Sequence, residues 1–114
     1  MTKFNVEHIT TENMLNRIAR VHKISKTPGY ILYYSLWDEA SDRLRQTIEA
    51  TNPIGEQGNI PLYLVNTFDN PHATVIYNDR SGDPISMVPC LITFSKGSVL
   101  VEDYLPNIYK YLGL

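Results

Sequence analysis

The chain carries one thiol, Cys90. A single cysteine forbids an internal disulfide and any metal site built from several thiolates, and it suits a reducing compartment. One thiol can still form a mixed disulfide with glutathione or with a partner's cysteine, but Cys90 has no resolving cysteine in its own chain. That chemistry requires an exposed sulfur with a depressed pKa, and no basic residue is adjacent to Cys90 in sequence to depress it. The competing reading is a small apolar side chain at the start of a strand, the usual role of a cysteine outside disulfides.

The other residues with chemical potential are dispersed. His8, His22 and His72 have no ligand-like spacing to one another or to Cys90, so no metal site is expected, and His22 reads as a solvent-facing helix residue. Asp38, Glu39 and Asp42 could be imagined as acid and base, yet acids in a first helical turn serve as caps and as partners of the helix dipole. Gly-x-Gly-x-x-Gly, Walker and Gly-x-Ser-x-Gly patterns are absent, and no cofactor is expected.

The elements that must position these residues fit in one domain, residues 1–114, with 43% hydrophobic and 19% charged residues. Ten Lys and Arg against twelve Asp and Glu, a net charge of -2, give no electrostatic reason to bind nucleic acid or an anionic membrane. No apolar run reaches the roughly 18 to 20 residues of a membrane span, and MTKFNVEHITTEN lacks a signal-peptide pattern, so a cytoplasmic protein is expected. Residues 4 to 10 alternate well enough for a short edge strand. Thr10 or Thr11 caps a helix over about 11 to 23, whose apolar face is Met14, Leu15, Ile18 and Val21.

After the Thr27-Pro28-Gly29 turn, YILYYSLW reads as a central strand buried on both faces. Asp38 then caps a second helix to about Ala50, with Ala40, Leu44, Thr47 and Ile48 facing inward. TNPIGEQGN is a loop, residues 62 to 65 form a third strand, and residues 71 to 78 supply one or two helical turns. PCLITF and SVLVEDYL form a hairpin across Ser95-Lys96-Gly97, with glycine suited to the positive φ of the turn. Pro106 opens a terminal helix to Leu112. The order β-α-β-α-β-(α)-β-β-α packs as an α/β three-layer sandwich, a mixed sheet of four to five strands flanked by helices.

The stretches YILYYSLWDEASDRLRQTIEA, LYLVNTFDNP and VPCLITFSKGSVL, about half the chain and in the right order, resemble the thioredoxin family. The most specific part is the pattern from Val88 to Gly97, followed by the Asp-Asn-Pro after the third strand. The resemblance implies a cis peptide bond between Val88 and Pro89, which an X-Pro bond tolerates at about 0.5 to 1 kcal/mol. It also implies a Cys-x-x-Cys pair at the amino end of the second helix, and none exists. Aligning on Trp37 places Asp38, Glu39, Ala40 and Ser41 there; aligning on the strand ILYY places Ala40 to Arg43 there and puts Tyr34 where the family has a buried acid. Dithiol exchange is therefore excluded by composition.

Two functions follow from the resemblance. In the first, a redox-inactive thioredoxin-like module holds a protein partner or an extended peptide in the groove formed by Trp37, the turn from Asp38 to Ser41, and Val88-Pro89. A variant of it is an accessory subunit of a larger assembly, and small size without catalytic residues suits a phage or other mobile-element protein. In the second, Cys90 makes the chain a monothiol oxidoreductase or glutathione-linked protein serving redox homeostasis. The interval from Pro71 to Pro89 is longer than the family's, with Asp79 to Pro84 as an insertion and second candidate contact region.

Overall fold

A computed structural model of the chain describes residues 3–53, 58–68, 88–96 and 98–114. Along the chain run β1 (Phe4–Ile9), α1 (Glu12–Ser25), β2 (Gly29–Tyr34), α2 (Glu39–Thr51), β3 (Ile60–Asn66), β4 (Cys90–Ser95), β5 (Ser98–Glu102) and α3 (Leu105–Tyr111). They form one mixed sheet in the order β1-β3-β2-β4-β5. β3 lies parallel to β1 and β2, while β4 is antiparallel to β2 and β5. β1 is thus an edge strand and β2 the central one, as their residue patterns predict. The helical turns expected over residues 71 to 78 and the insertion from Asp79 to Pro84 lie outside the described residues.

Each face of the sheet has its own core, because successive strand residues point to opposite sides. Leu32, Leu62, Leu64 and Leu91 face Leu44 and Ile48 of α2 and Ile108 of α3. Ile31, Tyr33, Val65, Cys90, Ile92 and Phe94 face Leu15 of α1. In β1, Phe4 and Val6 join the α2 side and Ile9 the α1 side. The hairpin is as tight as expected, with Ser95 opposite Ser98, but it is Lys96 that the structure shows at positive φ, +51°. Gly97 lies outside the described residues.

Two inward positions differ from the sequence expectation. Thr11 caps α1 by accepting from the Met14 N–H at 3.2 Å, but Val21 is exposed and His22 turns inward, only 5% exposed. Leu15, Ile18 and His22 share a helical face at spacings of three and four, and imidazole is apolar enough to stack on Phe94, with ring centroids 5.3 Å apart. The polar edge of the ring is satisfied: Nδ1 lies 2.9 Å from the Thr27 hydroxyl and Nε2 lies 3.2 Å from the Tyr63 hydroxyl. Burial, and then the charge of Glu7, push the Tyr63 phenol above its usual range, so its hydroxyl keeps its proton. The ring rests on β2 where Gly29 has no side chain; a Cβ there would lie 2.8 Å from His22 Cε1.

In α2 the inward residue is Ser41 rather than Ala40, which is exposed, and Thr47 is only half-buried. At the far end of α2, Asn52 joins two elements that lie far apart in sequence. Its Oδ1 accepts from the backbone N–H of Phe4 at 2.8 Å and of Lys3 at 3.1 Å, while Nδ2 donates to the Ile48 carbonyl at 3.0 Å. Asn52→Ala leaves the buried Phe4 N–H without its acceptor, and urea unfolding is expected to show a loss of about 1–3 kcal/mol. An unchanged midpoint would contradict that role.

Candidate functional site

The site lies at the carboxyl ends of β2 and β3, where open α/β sheets commonly bind ligands. β2 stops at Tyr34 because the chain turns there: the Asp38 N–H donates to the Ser35 carbonyl at 3.1 Å, and the Trp37 N–H donates to Ser35 Oγ at 3.2 Å. The buried Ser41 hydroxyl accepts from the Ser35 N–H at 3.1 Å, fixing the turn to the first turn of α2. Asp38 Oδ2 accepts from the Ser41 N–H at 2.8 Å as the helix cap. Asp38 to Ser41 therefore span the cap and first turn of α2. At those four positions the chain offers a cap carboxylate, Glu39 ion-paired with Arg43 at 2.8 Å, an exposed methyl group and a buried hydroxyl.

This rigid turn presents Trp37 to solvent, 77% exposed. Phe68, 59% exposed, follows the end of β3 and packs against Trp37 with ring centroids 5.6 Å apart. Phe68 is held by its N–H donating to Asn66 Oδ1 at 3.2 Å, and its neighbour Thr67 donates from its backbone N–H to the Tyr34 carbonyl at 2.8 Å. Leu36 is exposed in the same turn. Neither Leu36 nor Phe68 stands out in the sequence. For Phe68 the one available signal is a large aromatic residue placed just past a strand, where the core can no longer enclose it.

The other half of the predicted site approaches from β4. The Val88–Pro89 peptide bond is cis, Pro89 is buried and Val88 is half-buried. Cys90 pairs with Tyr33 in the β2·β4 ladder, so Val88 and Pro89, which immediately precede β4, lie at the end of the sheet where β2 runs out toward Trp37. Cys90 itself faces the α1-side core, against which Val88 also packs, and is 3% exposed. The structure thus gathers Trp37, the Asp38–Ser41 turn and the Val88–Pro89 junction at one end of the sheet, and it buries the thiol beneath them.

Tyr34, the last residue of β2, is buried, and the Arg45 guanidinium lies 5.7 Å from its ring. Arg45 pairs with Asp42 at 2.7 Å and with Glu49 at 2.6 Å, and Glu49 in turn meets His8 of β1 at 2.5 Å. Hydrogen bonding from Arg45 is the main reason the Asp42 carboxyl titrates below the usual aspartate range. Partial burial pulls the Arg45 guanidinium down, but its bonds to Asp42 and Glu49 outweigh this and leave its pKa raised. A carboxylate with a lowered folded-state pKa contributes stability that is fully present above its unfolded value and is lost as pH falls through the lowered one. Thermal melts should therefore fall below about pH 4, and Asp42→Asn should flatten that slope; an identical slope in the variant would exclude Asp42 as its source.

Among the described residues, no group of His, Cys, Asp and Glu is arranged to hold a metal ion, and no helix is long and apolar enough to cross a membrane. No protein-family model matches the sequence, and no curated protein sequence matches it. Its backbone nevertheless resembles solved thioredoxins over nearly its whole length. Thioredoxin O1 from Arabidopsis thaliana, in its oxidized state, superimposes with a TM-score of 0.68 at 17% identity, covering 95% of this chain and 97% of that one. Thioredoxin NaTrxh from Nicotiana alata gives 0.66 at 8% identity over 98% of this chain and 93% of its own. Fasciola hepatica thioredoxin gives 0.64 at 10% identity over 94% and 96%. With this likeness, the five-stranded mixed sheet and a single cysteine, the chain is a thioredoxin-fold protein without a Cys-x-x-Cys pair.

Proposed function

We propose that this protein is a redox-inactive binding module that holds an extended segment of a protein partner on the surface made by Trp37, the Asp38–Ser41 turn and the Val88–Pro89 junction. The observation that carries this reading is the outward-facing Trp37–Phe68 pair, set on a turn whose backbone is fixed by Ser35, Asp38 and Ser41. Exposed aromatic surface on a rigid support is costly to leave in water and is a favourable anchor for a partner, because little side-chain or loop entropy is lost on binding. Strand ends and a turn offer backbone hydrogen bonds to an extended peptide, and this mode of recognition needs no thiol.

Burial of Cys90 supports the same reading against a monothiol enzyme. Thiol–disulfide exchange requires a thiolate with in-line access to a disulfide, whereas Cys90 is buried in a cluster with Ile31, Val65, Ile92 and Phe94. With one thiol and no pair to oxidise, the proposed compartment is the reducing cytoplasm. The test is an array of short peptides probed with the intact protein and with Trp37→Ala. The reading expects sequence-selective binding that the variant loses; an array to which neither protein binds, or to which both bind equally, would sink it.

A further inference from the structure

The two edges of the sheet are defended differently. β1 carries Glu7 and His8 along its length, with Lys3 just before it. β5 reads SVLVE: it has neither proline nor lysine, its one charge is at its end, and Leu100 and Val101 are exposed on opposite faces. An apolar edge strand without guarding charges is a template for pairing with another strand. The tight turn makes Ser95 and Ser98 a hydrogen-bonded pair, so the alternation of an antiparallel ladder directs the backbone N–H and C=O groups of residues 99 and 101 outward.

We propose that β5 is a self-association edge, on which a second copy of this chain adds its own β5 antiparallel about a two-fold axis through Leu100. Three features select a second copy in this register. Residues 99 and 101 of one copy meet residues 101 and 99 of the other, so every outward backbone group of β5 gains a partner. Leu100 meets its symmetry mate as a close pair that exchanges no hydrogen bonds, which removes apolar surface from water on both copies. The strand is also electrically polar, with Lys96 before it and Glu102 at its end. Antiparallel pairing therefore sets Lys96 of each copy diagonally across from Glu102 of the other, whereas parallel pairing would set like charges together. Five residues of strand bury less than the roughly 1,200–2,000 Å² of a standard interface, so the dimer is weak and concentration-dependent.

Sedimentation of the intact protein over a rising concentration series tests this together with two variants. The wild type should move from monomer to dimer. Leu100→Lys, a change at an exposed position that sets two ammonium groups face to face on the axis, should weaken the dimer by about tenfold or more at an unchanged melting temperature. Leu100→Cys should close an intermolecular disulfide under mild oxidant, because facing residues at such a pair stand about 4.5 Å apart at Cα, within disulfide range. A wild type that stays monomeric throughout, a Leu100→Lys dimer as tight as the wild type's, or a Leu100→Cys protein that does not cross-link would each overturn the proposal.

Discussion

Gly58→Ala is expected to lower the stability of the protein to unfolding by at least about 3 kcal/mol, a large share of the roughly 5–15 kcal/mol that holds a domain of this kind together. Gly58 leads into β3, where the chain returns from α2 and passes directly beside β1. The Asn59 N–H donates to the Lys3 carbonyl at 3.2 Å, and Ile60 is level with Phe4 in the parallel ladder. A Cβ at position 58 would fall on the Phe4 carbonyl group and 2.7 Å from the Asn5 nitrogen. The obstacle is backbone, so no rotamer relieves it; either β1 leaves β3 or the crossing opens. Urea titration reads the effect directly, and a variant with the wild-type midpoint would show that β1 and residue 58 do not approach so closely.

The second large effect is on binding rather than on folding. Trp37→Ala should weaken capture of the partner by roughly thirtyfold or more, the loss expected of an aromatic anchor worth about 2 kcal/mol. The same substitution should leave thermal stability nearly unchanged, since the indole is 77% exposed and its ring partner among the described residues, Phe68, is exposed as well. Phe68→Ala should show the same split at smaller size, because it supports one side of the indole. Trp37 is the sole tryptophan, so its fluorescence reports from the centre of the site. A shift in its emission on partner addition separates direct contact from a distant effect. Loss of stability and binding together would instead make Trp37 a structural residue.

Much of this architecture is written locally. β2 is recognisable because aromatic and β-branched residues follow one another without polar interruption, which only a strand covered on both faces allows. Asp38 announces α2 because a cap is a short-range device, and Pro89 stands in a pattern specific enough to imply its cis bond. What escaped the sequence depends on distance along the chain. His22 looks polar and outward until Phe94 and Tyr63 supply a stacking face and a hydrogen-bond partner. Asn52 reads as loop composition, yet it fastens α2 to Lys3 and Phe4, nearly fifty positions away. Phe68 becomes part of a site only through Trp37, which reaches it from another strand end. In each case the signal is a partner that a sequence window does not contain.

The thiol ties these observations to function. A fold otherwise associated with a reactive pair here has a carboxylate and a buried hydroxyl at the helix end, with its lone sulfur 3% exposed in the core below. The most direct test captures partners from extract on three immobilised proteins, wild type, Cys90→Ser and Trp37→Ala, eluting first with salt and then with reductant. The same salt-eluted partner is expected on wild type and Cys90→Ser, and its loss on Trp37→Ala. A partner released only by reductant, and absent from Cys90→Ser, would contradict this and make Cys90 the functional atom.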